Sequence, residues 1–172
     1  VDAFIAPTAS VASANTGVVS VAGTRLLNPD GSHLFIFGAN YVGGPDRSWT
    51  MWQDDLFDAS YVDFHFAKAR ATGLNTLRIF VRPPLNEEIA ARQWSKLDTV
   101  VALAEKYGLY LIVTLYDYTE ENLAKVASLD RAIAARYAGR SAILAYDLRN
   151  EPHYQNLATA RYGSVPPLQT DV

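Results

Sequence analysis

Ala142-Ile143-Leu144-Ala145-Tyr146-Asp147-Leu148-Arg149-Asn150-Glu151-Pro152 changes character half-way along its length. The apolar run that begins at Ile143 reads as a buried strand, and it turns polar at its C-terminal end. Asn150 and Glu151 are then followed by a proline, which has no N–H to give to a sheet. An amide and a carboxylate therefore sit together at a strand tip. In a parallel α/β sheet or barrel, ligands bind at the carboxyl ends of the strands, because loops there vary without disturbing the packed layers beneath. The three letters alone leave two readings of Glu151 open, a chemical one and that of a solvated loop acid.

The preceding sequence repeats the same alternation. Leu109-Tyr110-Leu111-Ile112-Val113-Thr114-Leu115 is a second apolar run, tipped by Tyr116-Asp117-Tyr118, and Leu74 to Val81 is a third. Between these runs lie helical patterns. One is capped at Ser60, with Val62, Phe66 and Ala69 on one face and Gly73 at its end. A second opens at Ser95, with Leu97, Val100, Val101 and Ala104 in a stripe that closes at Gly108. A third runs from Glu120 to Tyr137, with a break expected near Ser128. Further upstream, Leu34-Phe35-Ile36-Phe37 reads as another buried strand with Asn40 at its polar tip. Asn28-Pro29-Asp30-Gly31 reads as the turn of a hairpin that leads into it. Gly43 to Asp58 is a long loop carrying Trp49 and Trp52, whose rings either stack on a ligand or are buried to pin the loop.

The order is thus a hairpin, then strands and helices in strict alternation, which is the signature of parallel βαβ units. The right-handed crossover rule allows a curved sheet with helices on its outer face, or a doubly wound sheet. Gly38-Ala39-Asn40-Tyr41 lacks the Gly-x-Gly-x-x-Gly spacing, which counts against a dinucleotide-binding sheet.

Arg78 stands out within its strand. A guanidinium in a largely buried sheet must find an acceptor, since leaving a buried charge unpaired costs on the order of several kcal/mol. It therefore needs a carboxylate, either for a structural ion pair or to orient a catalytic acid.

At 172 residues, 49% of them hydrophobic, the chain has material for one domain with a real core. A net charge of −3 without a basic stripe disfavours nucleic acid and anionic membrane surfaces as partners. The absence of cysteine excludes a disulfide framework and a thiolate zinc site. His33, His65 and His153 lack ligand spacing, so no metal is expected. Residues 1–17 read as a tail or linker, and their N-terminal part does not read as an intact signal peptide. Residues 18–172 form the domain.

From about Arg25 to Pro152 the chain resembles the N-terminal half of a family 5 glycoside hydrolase, a retaining β-glycanase of the clan that includes cellulases and β-mannanases. The resemblance lies in the Asp30-Gly31 turn before Phe35 to Tyr41, in Gly73-Leu74-Asn75-Thr76-Leu77-Arg78, in Gly108-Leu109-Tyr110, and in Asn150-Glu151-Pro152. It implies a (β/α)8 TIM-barrel type of fold, of which this chain would supply the first four βα units after an N-terminal β-hairpin. It also implies Glu151 as general acid/base, Asn150 as the residue that bonds the sugar 2-hydroxyl, and Arg78 as partner of the nucleophile. Asn40, Trp49, Trp52, Tyr116, Asp117 and His153 are the candidate substrate-binding residues. Many members of the family carry a histidine where this chain has Tyr116.

The family's nucleophile glutamate lies on the seventh strand, whereas about 250 residues are typical of a whole barrel. The expected partners are therefore a carbohydrate and either the missing C-terminal half of the barrel or another copy of the chain. By resemblance the reaction is retaining hydrolysis of a β-linked polysaccharide such as β-mannan or β-glucan. It would need no cofactor and would take place outside the cell. The competing expectation is a noncatalytic carbohydrate-binding or assembly half-barrel.

Overall fold

The computed structural model describes residues 17–151. Two short antiparallel strands come first, β1 (Ser20–Ala22) and β2 (Arg25–Leu27), joined through Gly23 at a φ of +60°. The Asn28–Gly31 turn then forms as its chemistry dictates. Gly31 N donates to Asn28 O at 2.9 Å, and the Asp30 carboxylate accepts from Ser32 N at 2.9 Å and Ser32 Oγ at 2.6 Å.

The rest of the described chain is β3 (Gly38–Asn40), α1 (Ala59–Ala71), β4 (Thr76–Phe80), α2 (Leu85–Ala90), α3 (Ser95–Tyr107), β5 (Tyr110–Thr114), α4 (Leu123–Arg136) and β6 (Ile143–Asp147). Strands β3, β4, β5 and β6 form one four-stranded sheet in chain order, every neighbouring pair parallel. A parallel sheet in sequential order with a helical crossover between neighbours is part of a barrel wall, and the hairpin precedes it.

Strand alternation divides this sheet into two faces. Leu77, Ile79 and Val81 of β4 and its exit, with Leu111, Val113 and Leu115 of β5 and its exit, pack on the helices. There they meet Val62 and Phe66 of α1, Leu97, Val100, Val101 and Ala104 of α3, and Ile133 of α4. Each fully buried large side chain in this layer contributes about 1.5–3 kcal/mol. Thr76, Arg78 and Phe80 alternate with the first set, as Tyr110, Ile112 and Thr114 do with the second. They form the opposite, inner face.

The structure corrects several sequence-based expectations. Leu34 to Phe37 is not a strand, and of these residues only Leu34 is buried. The Asn75 side chain takes the place of a ladder partner. Its Oδ1 accepts from Phe37 N at 2.9 Å and its Nδ2 donates to Phe35 O at 2.6 Å, so the regular ladder begins only at Gly38. Gly38 itself is required by crowding, because a Cβ there would lie 2.6 Å from Thr76 O.

Helix α1 is capped by Asp58 rather than Ser60, its carboxylate accepting from Ser60 N at 2.8 Å and Tyr61 N at 3.3 Å. Helix α2 has no counterpart among the helical patterns read from the sequence. Pro84 stands at the N-terminal edge of the helix, where a missing N–H costs nothing. Helix α4 starts at Leu123, capped by Asn122, and runs unbroken through Ser128. Strand β6 is only partly buried, because among the described residues it has a sheet neighbour on one side alone.

Candidate active site

Arg78 projects from β4 onto the inner face at the C-terminal end of the sheet and finds the carboxylate that its burial demands. That carboxylate is Asp147, the last residue of β6. Arg78 Nη2 makes a short ion pair with Asp147 Oδ2, and Nε lies 3.2 Å from the same oxygen. Nε also donates to Thr114 Oγ1 at 2.9 Å, and the Thr114 hydroxyl donates to Asp147 Oδ2 at 3.0 Å. The guanidinium lies 4.5 Å from the Phe80 ring centroid, with the ring face toward the cation. Burial pushes the Asp147 carboxyl up, but the hydrogen bonds from Arg78 and Thr114 and the Arg78 charge outweigh it and hold the group below the usual carboxylate range.

Sequence reasoning asked for an acceptor without locating it, although the signal was present. Asp147 lies two residues past Ala145 in the same strand and so shares its face.

The Arg78 network continues into the loop after β6. Arg78 Nη2 donates to Asn150 Oδ1 at 3.1 Å, and Asn150 Nδ2 donates to Asp117 Oδ1 at 3.0 Å. Asp117 lies beyond the tip of β5, with Arg82 Nη1 3.6 Å from its other oxygen. Arg82 in turn sits 4.9 Å from the Trp49 ring centroid, and Trp49 packs edge-on to Phe80 at 5.1 Å. The tips of β4, β5 and β6 are thereby joined through side chains. Glu151 follows Asn150 directly and is exposed. Its φ of +40° is uncommon for a residue with a Cβ, and such conformations concentrate at functional sites. Beneath this rim an open cleft of about 510 Å³ is lined by Ile36, Gly38, Ala39, Asn40, Thr76, Arg78 and Ile112.

The candidate residues therefore separate. Arg78, Asn150 and Asp117 are in contact, with Glu151 next in the chain, while Asn40 lines the cleft. Trp49 is 41% exposed and remains accessible. Trp52 is not on the binding surface: its ring is buried at 2% exposure, and Nε1 donates to Phe80 O at 2.9 Å. Its indole pins the long loop to β4, which is the loop-anchoring reading of the two open for it. Tyr116 is likewise turned inward, its hydroxyl donating to Glu120 O at 2.5 Å, so it closes its own loop and does not offer a phenol to a ligand. His153 lies outside the described residues.

A parallel, partly closed barrel wall with its polar side chains gathered at the carboxyl ends of the strands defines a (β/α)8-type enzyme scaffold. Residues 45–167 match the family described as Cellulase (glycosyl hydrolase family 5). The chain belongs to glycosyl hydrolase family 5.

Among solved structures it is similar to a protein described as a glycoside hydrolase, at 16% identity and a TM-score of 0.53 over 88% of this chain and 39% of the other. A glycoside hydrolase family 5 protein from Bacteroides vulgatus ATCC 8482 aligns at 18% identity and a TM-score of 0.54, over 76% of this chain and 32% of that one. The catalytic domain of Thermobifida fusca endoglucanase Cel5A (E5) aligns at 20% identity and a TM-score of 0.53, over 88% and 49%. The chain spans less than half the length of each of these structures. Comparison with curated proteins gives no match.

Proposed function

We propose that this chain supplies the acid/base half of the active site of a retaining glycoside hydrolase acting on a β-linked polysaccharide, with β-mannan slightly favoured over β-glucan. The observation that carries the reading is the Asn150 amide, held at the mouth of the sheet between Arg78 and Asp117, with Glu151 the next residue. Retaining hydrolysis needs one carboxyl to protonate the departing oxygen and a second, about 5–5.5 Å away, to attack the anomeric carbon. In this proposal Glu151 is the first, and afterwards acts as the base that activates water. The second comes from the seventh strand of the completed barrel, as the family resemblance implies. An amide that donates to the 2-hydroxyl binds more strongly as the ring becomes oxocarbenium-like, so its effect falls on the transition state.

The experiment is Glu151→Ala in the completed enzyme. Substrates with poor leaving groups should lose about 10²–10⁴-fold in rate, the usual contribution of general acid catalysis. Activated aryl glycosides should lose much less, because their leaving groups depart without a proton. Azide should then restore turnover of the activated substrates by replacing base-activated water. Equal loss on both substrate types without azide rescue would remove Glu151 from this role. Sugar binding without turnover by the intact enzyme would instead support the carbohydrate-binding reading.

A further inference from the structure

The Asn150 side chain lies between two groups of opposite hydrogen-bonding character. A guanidinium has only donors and an ionised carboxylate only acceptors, whereas a carboxamide presents one of each at its two ends. With Oδ1 facing Arg78 Nη2 at 3.1 Å and Nδ2 facing Asp117 Oδ1 at 3.0 Å, both ends are satisfied. Rotating the amide by half a turn would set donor against donor and acceptor against acceptor. Asn150 is also tied through its backbone, whose N–H donates to Tyr116 O at 3.1 Å. Asp117 is itself held in place. Its backbone N donates to Val81 O at 3.2 Å, and its second oxygen faces Arg82, whose guanidinium lies over Trp49.

We propose that Asp117 is a positioning residue that fixes which end of the Asn150 amide faces the sugar. Its carboxylate takes one hydrogen of Nδ2 and leaves the other to be aimed at the substrate 2-hydroxyl. Arg78 excludes the wrong end of the amide, while Asp117 restrains rotation of the right one. Both of its oxygens being engaged inside the protein, Asp117 acts through Asn150 and Arg82 and has no need to touch the sugar. The proposal rests on the reading of Asn150 as the amide that serves the 2-hydroxyl, and it adds to that reading the group that sets its orientation.

The test uses Asp117→Ala and the charge-conserving Asp117→Glu in the completed enzyme, with two readouts. In the first, selective ¹⁵N labelling of asparagine, with the Asn150 signal assigned by its loss in Asn150→Ala, should show one side-chain amide proton protected from exchange in the parent. That protection should disappear in Asp117→Ala. In the second, kcat on 2-hydroxy aryl glycosides should fall about tenfold, the size of one hydrogen bond to a charged group, with KM little changed. The loss should vanish on the matching 2-deoxy glycosides, and Asp117→Glu should recover part of it. A general packing defect would slow both substrates equally. Unchanged protection of the amide proton, or equal loss on 2-hydroxy and 2-deoxy substrates, overturns the proposal. Asn150→Ala separates the two readings. If it discriminates between the substrates and Asp117→Ala does not, the positioning role is wrong. If neither discriminates, the 2-hydroxyl role of Asn150 falls and takes the positioning role with it.

Discussion

On the outer layer, the Asp130 carboxyl of α4 has one oxygen, Oδ1, buried with no hydrogen-bond partner among the described residues. Burial raises its pKa to about 6, with Arg131 opposing weakly. The sign follows directly. A carboxyl whose pKa is higher folded than unfolded contributes stability that is fully present below about pH 4 and is lost as pH rises through 6. Asp130→Asn should therefore raise the melting temperature at pH 7 and leave it nearly unchanged at pH 4, as read by thermal unfolding across that range. A constant difference at all pH values would show that the effect is not one of titration. Asp98, held down chiefly by its hydrogen bond from Arg136, and Glu105, held down by Arg140, behave in the opposite sense. Their contributions are present above about pH 4 and lost as pH falls through their lowered values, as is that of Asp147. Unfolding scans below pH 4 should show this loss in the parent and in Asp130→Asn alike. At this scale the sequence singled out Arg78 as needing an acceptor, and the structure supplies Asp147 and Asn150. The sequence could not foresee Asp130, because an acid on a helix reads as solvated until its neighbours are known.

At the scale of the element, the sheet begins where two backbones approach closely. Gly38→Ala would place a Cβ 2.6 Å from Thr76 O and 3.1 Å from Thr76 Cβ, on a strand only three residues long. Overpacking of this kind costs about 1–3 kcal/mol. The cost should appear in denaturant unfolding as a lower midpoint with an unchanged slope, and a variant as stable as the parent would contradict the close approach. Asn122→Ala acts at a helix end instead. It removes the acceptor of Ala124 N at 3.0 Å and should cost about 1 kcal/mol, the usual value of an N-cap. Helices α1, α3 and α4 were legible because their apolar stripes span several turns, whereas the six-residue α2 is too short to show one. The Leu34–Phe37 segment was misread because continuous apolarity signals burial, and nothing local revealed that the Asn75 side chain would take its backbone groups.

At the scale of the whole molecule, the edge strands of the sheet and the apolar residues that flank them are the consequential feature. Phe35 is 75% exposed, Phe37 55% and Leu148 74%, and β3 and β6 are each bonded on one side only among the described residues. Apolar side chains and strand edges together favour pairing with another chain. The 172-residue polypeptide expressed by itself should associate as its concentration rises, unless the strands that complete the barrel are supplied. Light scattering over a dilution series checks this, and a monomer at every concentration would count against it. Without a seventh-strand carboxylate opposite Glu151, the same material should not hydrolyse β-mannan or β-glucan, whereas a completed barrel should. Retaining activity from a monomer of these residues would overturn that division of the site.

Read alone, the amino-acid order determined the alternation of strand and helix, and it placed Asn150 and Glu151 beyond the carboxyl end of a strand and Arg78 within one. These follow from short-range rules, namely period, turn chemistry and the incompatibility of proline with a ladder, which act within a few residues. Tertiary structure decided which carboxylate answers Arg78, which tryptophan is buried, and that Tyr116 turns inward while Asp117 grips Asn150. The residues concerned, Arg78, Thr114, Asp147 and Asn150, are separated by up to 72 positions. They meet only because parallel strands in register bring their carboxyl ends to one rim, and no local pattern encodes that meeting.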